Sequence, residues 1–182
     1  MTTTYALLLR GINVGGHRRV PMPELRTLLT ELGHSGVTTY LQSGNAILTA
    51  ASDDENEVAT GIERAVEKHF GFAVDCLVRP AAYLRALADA CPFPAAELEG
   101  KQLHVTFYDR PVTEDRFSPV DPAAHLPEEF RLGDRALYLY APDGLARSTL
   151  AVALAKPAVT KGLVATSRNW NTVAKLVELT RD

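Results

Sequence analysis

The feature that most restricts the fold is the order of apolar runs in the first 78 residues. Tyr5–Leu9 is a short strand-like run that leads into a glycine-rich stretch, residues 11–16. Pro21, Met22 and Pro23 then open a predicted helix, in which Leu25, Leu28, Leu29 and Leu32 recur at spacings of three and four before Gly33. Proline fits the first helical turn because its missing N–H would have no partner there. Val37–Leu41 and Ala46–Thr49 are rich in β-formers and flank a turn containing Ser43, Gly44 and Asn45, the pattern of a hairpin. Ser52 or Asp53 is placed to cap a second helix, with Asp54, Glu55 and Glu57 near its positive end. That helix puts Val58, Ile62, Ala65, Val66 and His69 or Phe70 on one face before Gly71, and residues 72–78 read as a further strand. The order βαββαβ is that of a ferredoxin-like unit.

The second half predicts the same order less cleanly. A connecting helix, 81–90, stops at Pro92 and Pro94, and Leu103–Tyr108 is a strand. Residues 113–125 are poorly patterned and interrupted by proline where a helix would stand. Phe130–Leu132 and Arg135–Tyr140 flank Gly133 and Asp134, which suit a two-residue hairpin turn. An alanine-rich helix, 145–155, a short strand, 163–165, and a helix from about Arg168 to Thr180 complete the chain. The expected fold class is therefore α+β, with two ferredoxin-like units in tandem and an extra C-terminal helix. The expected boundaries are 1–79 for the N-terminal unit and 80–182 for a C-terminal unit that includes the connecting and terminal helices.

Composition narrows the class of function. At 46% apolar and 23% charged the chain is too apolar for intrinsic disorder. Two cysteines build no disulfide framework, and no spacing of Cys or His suggests a metal site. The first apolar run is far shorter than a signal-peptide core or a membrane span, so a cytoplasmic location with no membrane partner is expected. A formal net charge of −3 argues against a surface that grips nucleic acid everywhere. The charge is nevertheless uneven. Residues 1–30 carry four arginines against one glutamate, a net +3, and residues 156–182 carry five basic against two acidic groups, also +3. The middle of the chain is at −9. Basic ends on an acidic protein point to an anion-binding region if the two ends meet.

Topology strengthens that reading for the first unit. The stretch LLLRGINVGGHRRVPM is neither a dinucleotide-binding loop nor a phosphate loop ending in Gly-Lys-Ser/Thr. Its glycines still allow backbone N–H groups to approach an anion. Arg10, Asn13, His17, Arg18 and Arg19 supply side-chain donors around it. In a βαββαβ unit the first two strands run in the same direction, so the first strand-to-helix loop and the hairpin project from one end of the sheet. Arg10–Arg19 and the hairpin residues Gln42, Ser43, Gly44 and Asn45 are thereby expected to be neighbours.

The last twenty residues add a second polar cluster. Thr166 or Ser167 is a candidate N-cap before Arg168, and Trp170, Val173, Ala174 and Val177 form an expected apolar stripe. Arg168, Asn171, Thr172 and Lys175 form a polar stripe on the same expected helix. His17 and Ser43 are the residues that a catalytic role would use, although no nucleophile elbow surrounds Ser43.

The strings LLLRGINVGGHRRVPMPELRTLL, TTYLQSGNAIL and ATSRNWNTVAKL resemble the hallmark segments of domain-of-unknown-function family 1697. The resemblance implies a cytoplasmic bacterial protein of two small ferredoxin-like halves and carries no activity with it. Its signature residues fall on Arg10, Gly11, Asn13, Gly15, Gly16, Gln42, Ser43, Gly44, Asn45, Thr166, Arg168, Asn169, Trp170 and Thr172, with His17, Arg18 and Arg19 where members often carry lysine and asparagine. The expected function is binding of a phosphate- or carboxylate-bearing small molecule, or of nucleic-acid phosphate. The expected ligand-binding residues are Arg10, Asn13, Gly15, Gly16, Arg18, Gln42, Ser43, Asn45, Arg168 and Asn169, with no cofactor and no metal. A hydrolase or transferase using the same pocket and a protein-interaction module are the alternatives.

Overall fold

A computed structural model describes residues 1–181. The chain divides into two compact units, one of Met1–Arg85 with the chain from Leu176 onward, the other of Ala86–Lys175. The first unit runs β1 (Thr3–Leu9), α1 (Met22–Glu31), β2 (Ser35–Tyr40), β3 (Asn45–Ala50), α2 (Glu55–Phe70) and β4 (Cys76–Pro80). Its four strands lie in the order β2-β3-β1-β4, every neighbouring pair antiparallel, as in a ferredoxin-like sheet. β1 is the hub: Leu7 faces Ala46 on one side and Val78 on the other.

The leucine spacing on α1 buries Leu25, Leu28 and Leu29, and α2 contributes Val58, Ile62 and Val66. Both helices pack with Tyr5, Leu7, Leu9, Leu48 and Val78 in one core. The helix ends are made locally. After α1, the N–H of Gly33 reaches the carbonyl of Thr30 at 3.0 Å and that of His34 reaches Leu29 at 3.2 Å, the paired bonds of a Schellman stop. Asp54 caps α2 by accepting from the N–H groups of Asn56 and Glu57. The cap is thus Asp54 and not Ser52 or Asp53. Ser52 instead accepts from the Asp54 N–H and donates to Glu57 at 2.6 Å, bracing the same turn.

A short helix, α3 (Ala81–Asp89), follows. The second unit contains β5 (Leu103–Tyr108), β6 (Glu129–Gly133), β7 (Ala136–Tyr140), α4 (Thr149–Leu154), α5 (Pro157–Thr160) and β8 (Ala165–Asn169). Its sheet order, β6-β7-β5-β8, is again fully antiparallel and repeats that of the first unit. Where the first helix would stand there are two single 3₁₀ turns, Glu114–Phe117 and Pro122–His125. Pro119 and Pro122 lack the N–H groups that a continuous helix needs. The hairpin turn is Asp134-Arg135, one residue later than expected, because Gly133 pairs with Ala136 as the last rung of the ladder.

The largest departure is at the end of the chain. The final strand is Ala165–Asn169, and the final helix, α6, is Trp170–Leu179. Arg168 is therefore a strand residue paired with Val105, not the first residue of a helix. Ladder bonding to β5 overrides the cap signal of Thr166 and Ser167, and Asn169 starts the helix by accepting from the Thr172 N–H at 3.0 Å. The expected polar stripe is broken, since Thr172 is buried along with Val173, Leu176 and Val177. Trp170 is only half-buried and Ala174 is exposed. Among the described residues no helix is long and apolar enough to cross a membrane.

Candidate functional site

The loop after β1 is a small structure of its own. Val14 and His17 form an isolated antiparallel bridge, with the His17 N–H on the Val14 carbonyl at 3.1 Å. Gly15 and Gly16 make the two-residue turn between them at φ +60° and +77°. Two consecutive positive φ values define a type I′ turn, which side chains other than Asn, Asp or Gly resist. The glycines are thus required by the turn itself. Below it, the Asn13 N–H reaches the Arg18 carbonyl at 3.1 Å, and the Asn13 amide both accepts from the Val20 N–H at 2.8 Å and donates to the Val20 carbonyl at 3.0 Å.

The hairpin stands against this loop, as the topology of the unit requires. Asn13 Nδ2 donates to the Gln42 carbonyl at 2.7 Å, and the Leu9 N–H donates to the Gly44 carbonyl at 2.8 Å. Gly44 has φ +93°, and a Cβ there would lie 2.8 Å from Ile12 Cδ1 and 2.9 Å from Leu9 Cβ. Asn45 is completely buried. Its Nδ2 donates to the Tyr40 carbonyl at 2.9 Å and to Ser43 Oγ at 3.0 Å, which closes the turn from inside. Gln42 and Ser43 sit on the exposed outside of that turn.

A third segment, between α2 and β4, joins the same end and was missed by sequence reasoning. The Arg10 N–H reaches the Asp75 carbonyl at 3.0 Å, and its guanidinium pairs with the Asp75 carboxylate at 3.3 Å. Arg18 donates to the Ala73 carbonyl and lies over the Phe72 ring at 5.7 Å. Glu63 on α2 accepts from the Cys76 N–H, and burial, more than the nearby Asp75, pushes its carboxyl up from its ordinary range. The strand directions that place the hairpin beside the first loop also bring the start of β4 there. That was the available signal. The end of the sheet therefore carries acidic as well as basic groups. Arg19 and the His17 ring have no partner among the described residues.

Arg168 and Asn169 belong to the second unit. Arg168 is 8% exposed, donates to Thr166 Oγ1 at 2.7 Å and to the Ser167 carbonyl at 2.9 Å, and burial pushes its guanidinium down to about 10. It remains a cation at neutral pH. Among the described residues no group of three or more His, Cys, Asp and Glu side chains is placed to hold a metal ion.

The family model described as "Protein of unknown function (DUF1697)" matches residues 1–138. The structure resembles that of the conserved bacterial protein SP0830 from Streptococcus pneumoniae, at 25% identity over the whole of both chains and a TM-score of 0.79. No curated protein matches the chain.

Proposed function

The chain belongs to the DUF1697 family, and we propose that it binds an anionic, phosphate- or carboxylate-bearing ligand at the end of the first sheet formed by the 10–19 loop and the 41–45 hairpin. The observation that carries the reading is the Asn13–Gln42 bond. It holds an exposed glycine turn and the arginines beside it against a second polar turn. Arg19 supplies a positive charge that no other group engages, and the His17 ring adds a hydrogen-bonding group with no partner among the described residues. Arg10 and Arg18 each direct a guanidinium nitrogen to Asp75 or Ala73, which leaves further N–H donors on each fork. The Arg10–Asp75 pair is half exposed on both sides, so its net worth is at most about 1 kcal/mol and an anion can compete for the fork. Gly15 and Gly16 offer N–H groups to the ligand, Gln42 and Ser43 orient it, and Asn13 and Asn45 hold the two turns in place.

The test is titration of the full chain with inorganic phosphate, followed by amide NMR. Saturable shifts at Gly15, Gly16 and Arg19, with affinity about tenfold lower in Arg19→Gln, support the reading. Shifts that never saturate, or that are unchanged in Arg19→Gln, reject it. A salt series with a single-stranded oligonucleotide identifies nucleic-acid phosphate as the source if affinity falls steeply with ionic strength. One observation favours a second reading. Val14 and Leu41, which flank the Asn13–Gln42 bond, are 67% and 54% exposed, an apolar pair suited to docking a protein surface.

A further inference from the structure

A cleft of about 220 Å³ lies wholly within the second unit, between residues 124–128 and residues 141–149. We propose that it binds a small zwitterion, an α-amino acid, with Arg147 on its carboxylate, Asp143 on its ammonium group and His125 Nε2 accepting from it.

The walls are fixed by bonds that a ligand does not have to supply. On one side the Ala141 N–H reaches the Gln102 carbonyl at 2.8 Å, and Gln102 Nε2 donates back to the Pro142 carbonyl at 3.2 Å. The Gly144 N–H returns to the Ala141 carbonyl at 3.0 Å, so the turn that carries Asp143 is closed. On the other side Glu128 accepts from Ser148 Oγ, from the Thr149 N–H at 3.2 Å and from Thr149 Oγ1 at 3.2 Å. Three donors satisfy that carboxylate, which leaves it a structural group and not the partner of an ammonium.

The same network orients His125. Its Nδ1 lies 2.8 Å from Thr149 Oγ1. A hydroxyl has one proton, and a carboxylate is a stronger acceptor than a neutral imidazole, so the Thr149 proton goes to Glu128. In the neutral ring the proton then sits on Nδ1 and is donated to Thr149. Nε2 is left as an acceptor on a ring that cannot turn without losing this bond.

Two charges of opposite sign remain. Arg147 and Asp143 both line the cleft, both are exposed, and neither has an ion-pair or hydrogen-bond partner through its side chain among the described residues. Water meets both charges in the free protein, and a simple anion or a simple cation would engage only one of them. A ligand with one carboxylate and one ammonium group answers both. The volume is below the roughly 300–1,000 Å³ of sites for drug-sized ligands, which selects a small one.

The experiment titrates the full chain with L-alanine, acetate and ethylammonium, reading the His125 imidazole by long-range ¹H–¹⁵N NMR. Saturable movement of the His125 signals with L-alanine, and binding about tenfold or more weaker for acetate and ethylammonium, supports the proposal. Arg147→Gln and Asp143→Asn each lower L-alanine affinity about tenfold, with the urea unfolding midpoint unchanged. Acetate binding as tightly as L-alanine, no saturable His125 shift, or unaltered affinity in both variants overturns it.

Discussion

The side chain of Asn13 donates to the main-chain carbonyl of Gln42 at 2.7 Å, joining a loop and a hairpin that are 29 residues apart in sequence. The same amide accepts from and donates to the main chain of Val20, so three bonds depend on one side chain at φ +55°. Asparagine tolerates that left-handed backbone better than most residues, which suits it to the role. Asn13→Ala loses the bonds and strains the backbone, with an expected cost of about 2–3 kcal/mol in urea unfolding. Asn13→Gly loses the bonds without the strain and is expected to cost about 1 kcal/mol less.

Gly44 and Gly11 form a matched pair for separating crowding from backbone strain. Both have positive φ, yet a Cβ at Gly44 meets Ile12 and Leu9 while one at Gly11 meets nothing within 4 Å. Gly11→Ala is expected to cost about 1 kcal/mol, and Gly44→Ala about 2–4 kcal/mol because the loop must also move away from the hairpin. Equal unfolding midpoints for the two variants would refute the crowding account.

The two cysteines are expected to differ in labelling. Burial, ahead of the nearby Glu63 and Asp75 carboxylates, pushes the Cys76 thiol well up. Cys91 is also raised by burial, but it is partly exposed and keeps access to solvent. At pH 8 in native buffer a thiol reagent should modify Cys91 slowly and Cys76 only after denaturation. Mass spectrometry of the labelled peptides reads the order directly, and early modification of Cys76 would contradict the burial seen here.

His104 sets a pH dependence of known sign. Burial lowers its pKa, partly offset by the bond to the Lys101 carbonyl at 3.0 Å. The unfolded chain then binds a proton that the folded chain refuses, so stability falls as pH drops below about 6.5. His34 is lowered by burial as well and contributes in the same direction. Each group accounts for less than one proton, so its slope stays under about 1.4 kcal/mol per pH unit. His104→Gln should flatten the decline between pH 6.5 and 5, read from urea midpoints, whereas an unchanged slope would exclude His104 as its source.

Local pattern was enough for the order of elements in the first unit, but not for the start of β4. That strand begins at Cys76 and not at residue 72, because Ala73 and Asp75 bond to Arg18 and Arg10 of the first loop and not to a neighbouring strand. Leu25, Leu28 and Leu29 mark the buried face of α1, and Pro21 and Gly33 mark its ends, because helix period and end chemistry are properties of neighbouring residues. The same logic placed the 10–19 loop beside the 41–45 hairpin, since strand direction follows from element order alone. What only the tertiary structure decided is where residues distant in the chain compete for the same groups. Arg168 looked like the start of a helix, but β5 offered it a ladder partner in Val105, and those backbone bonds overrode the local cap signal. Asp75 pairs with Arg10 across 65 residues, a contact that no periodicity encodes. The cleft around His125 is made of two irregular segments held by Glu128 and Gln102. Period and propensity describe a residue's neighbours along the chain, whereas pairing of charges and closure of a cleft depend on neighbours in space.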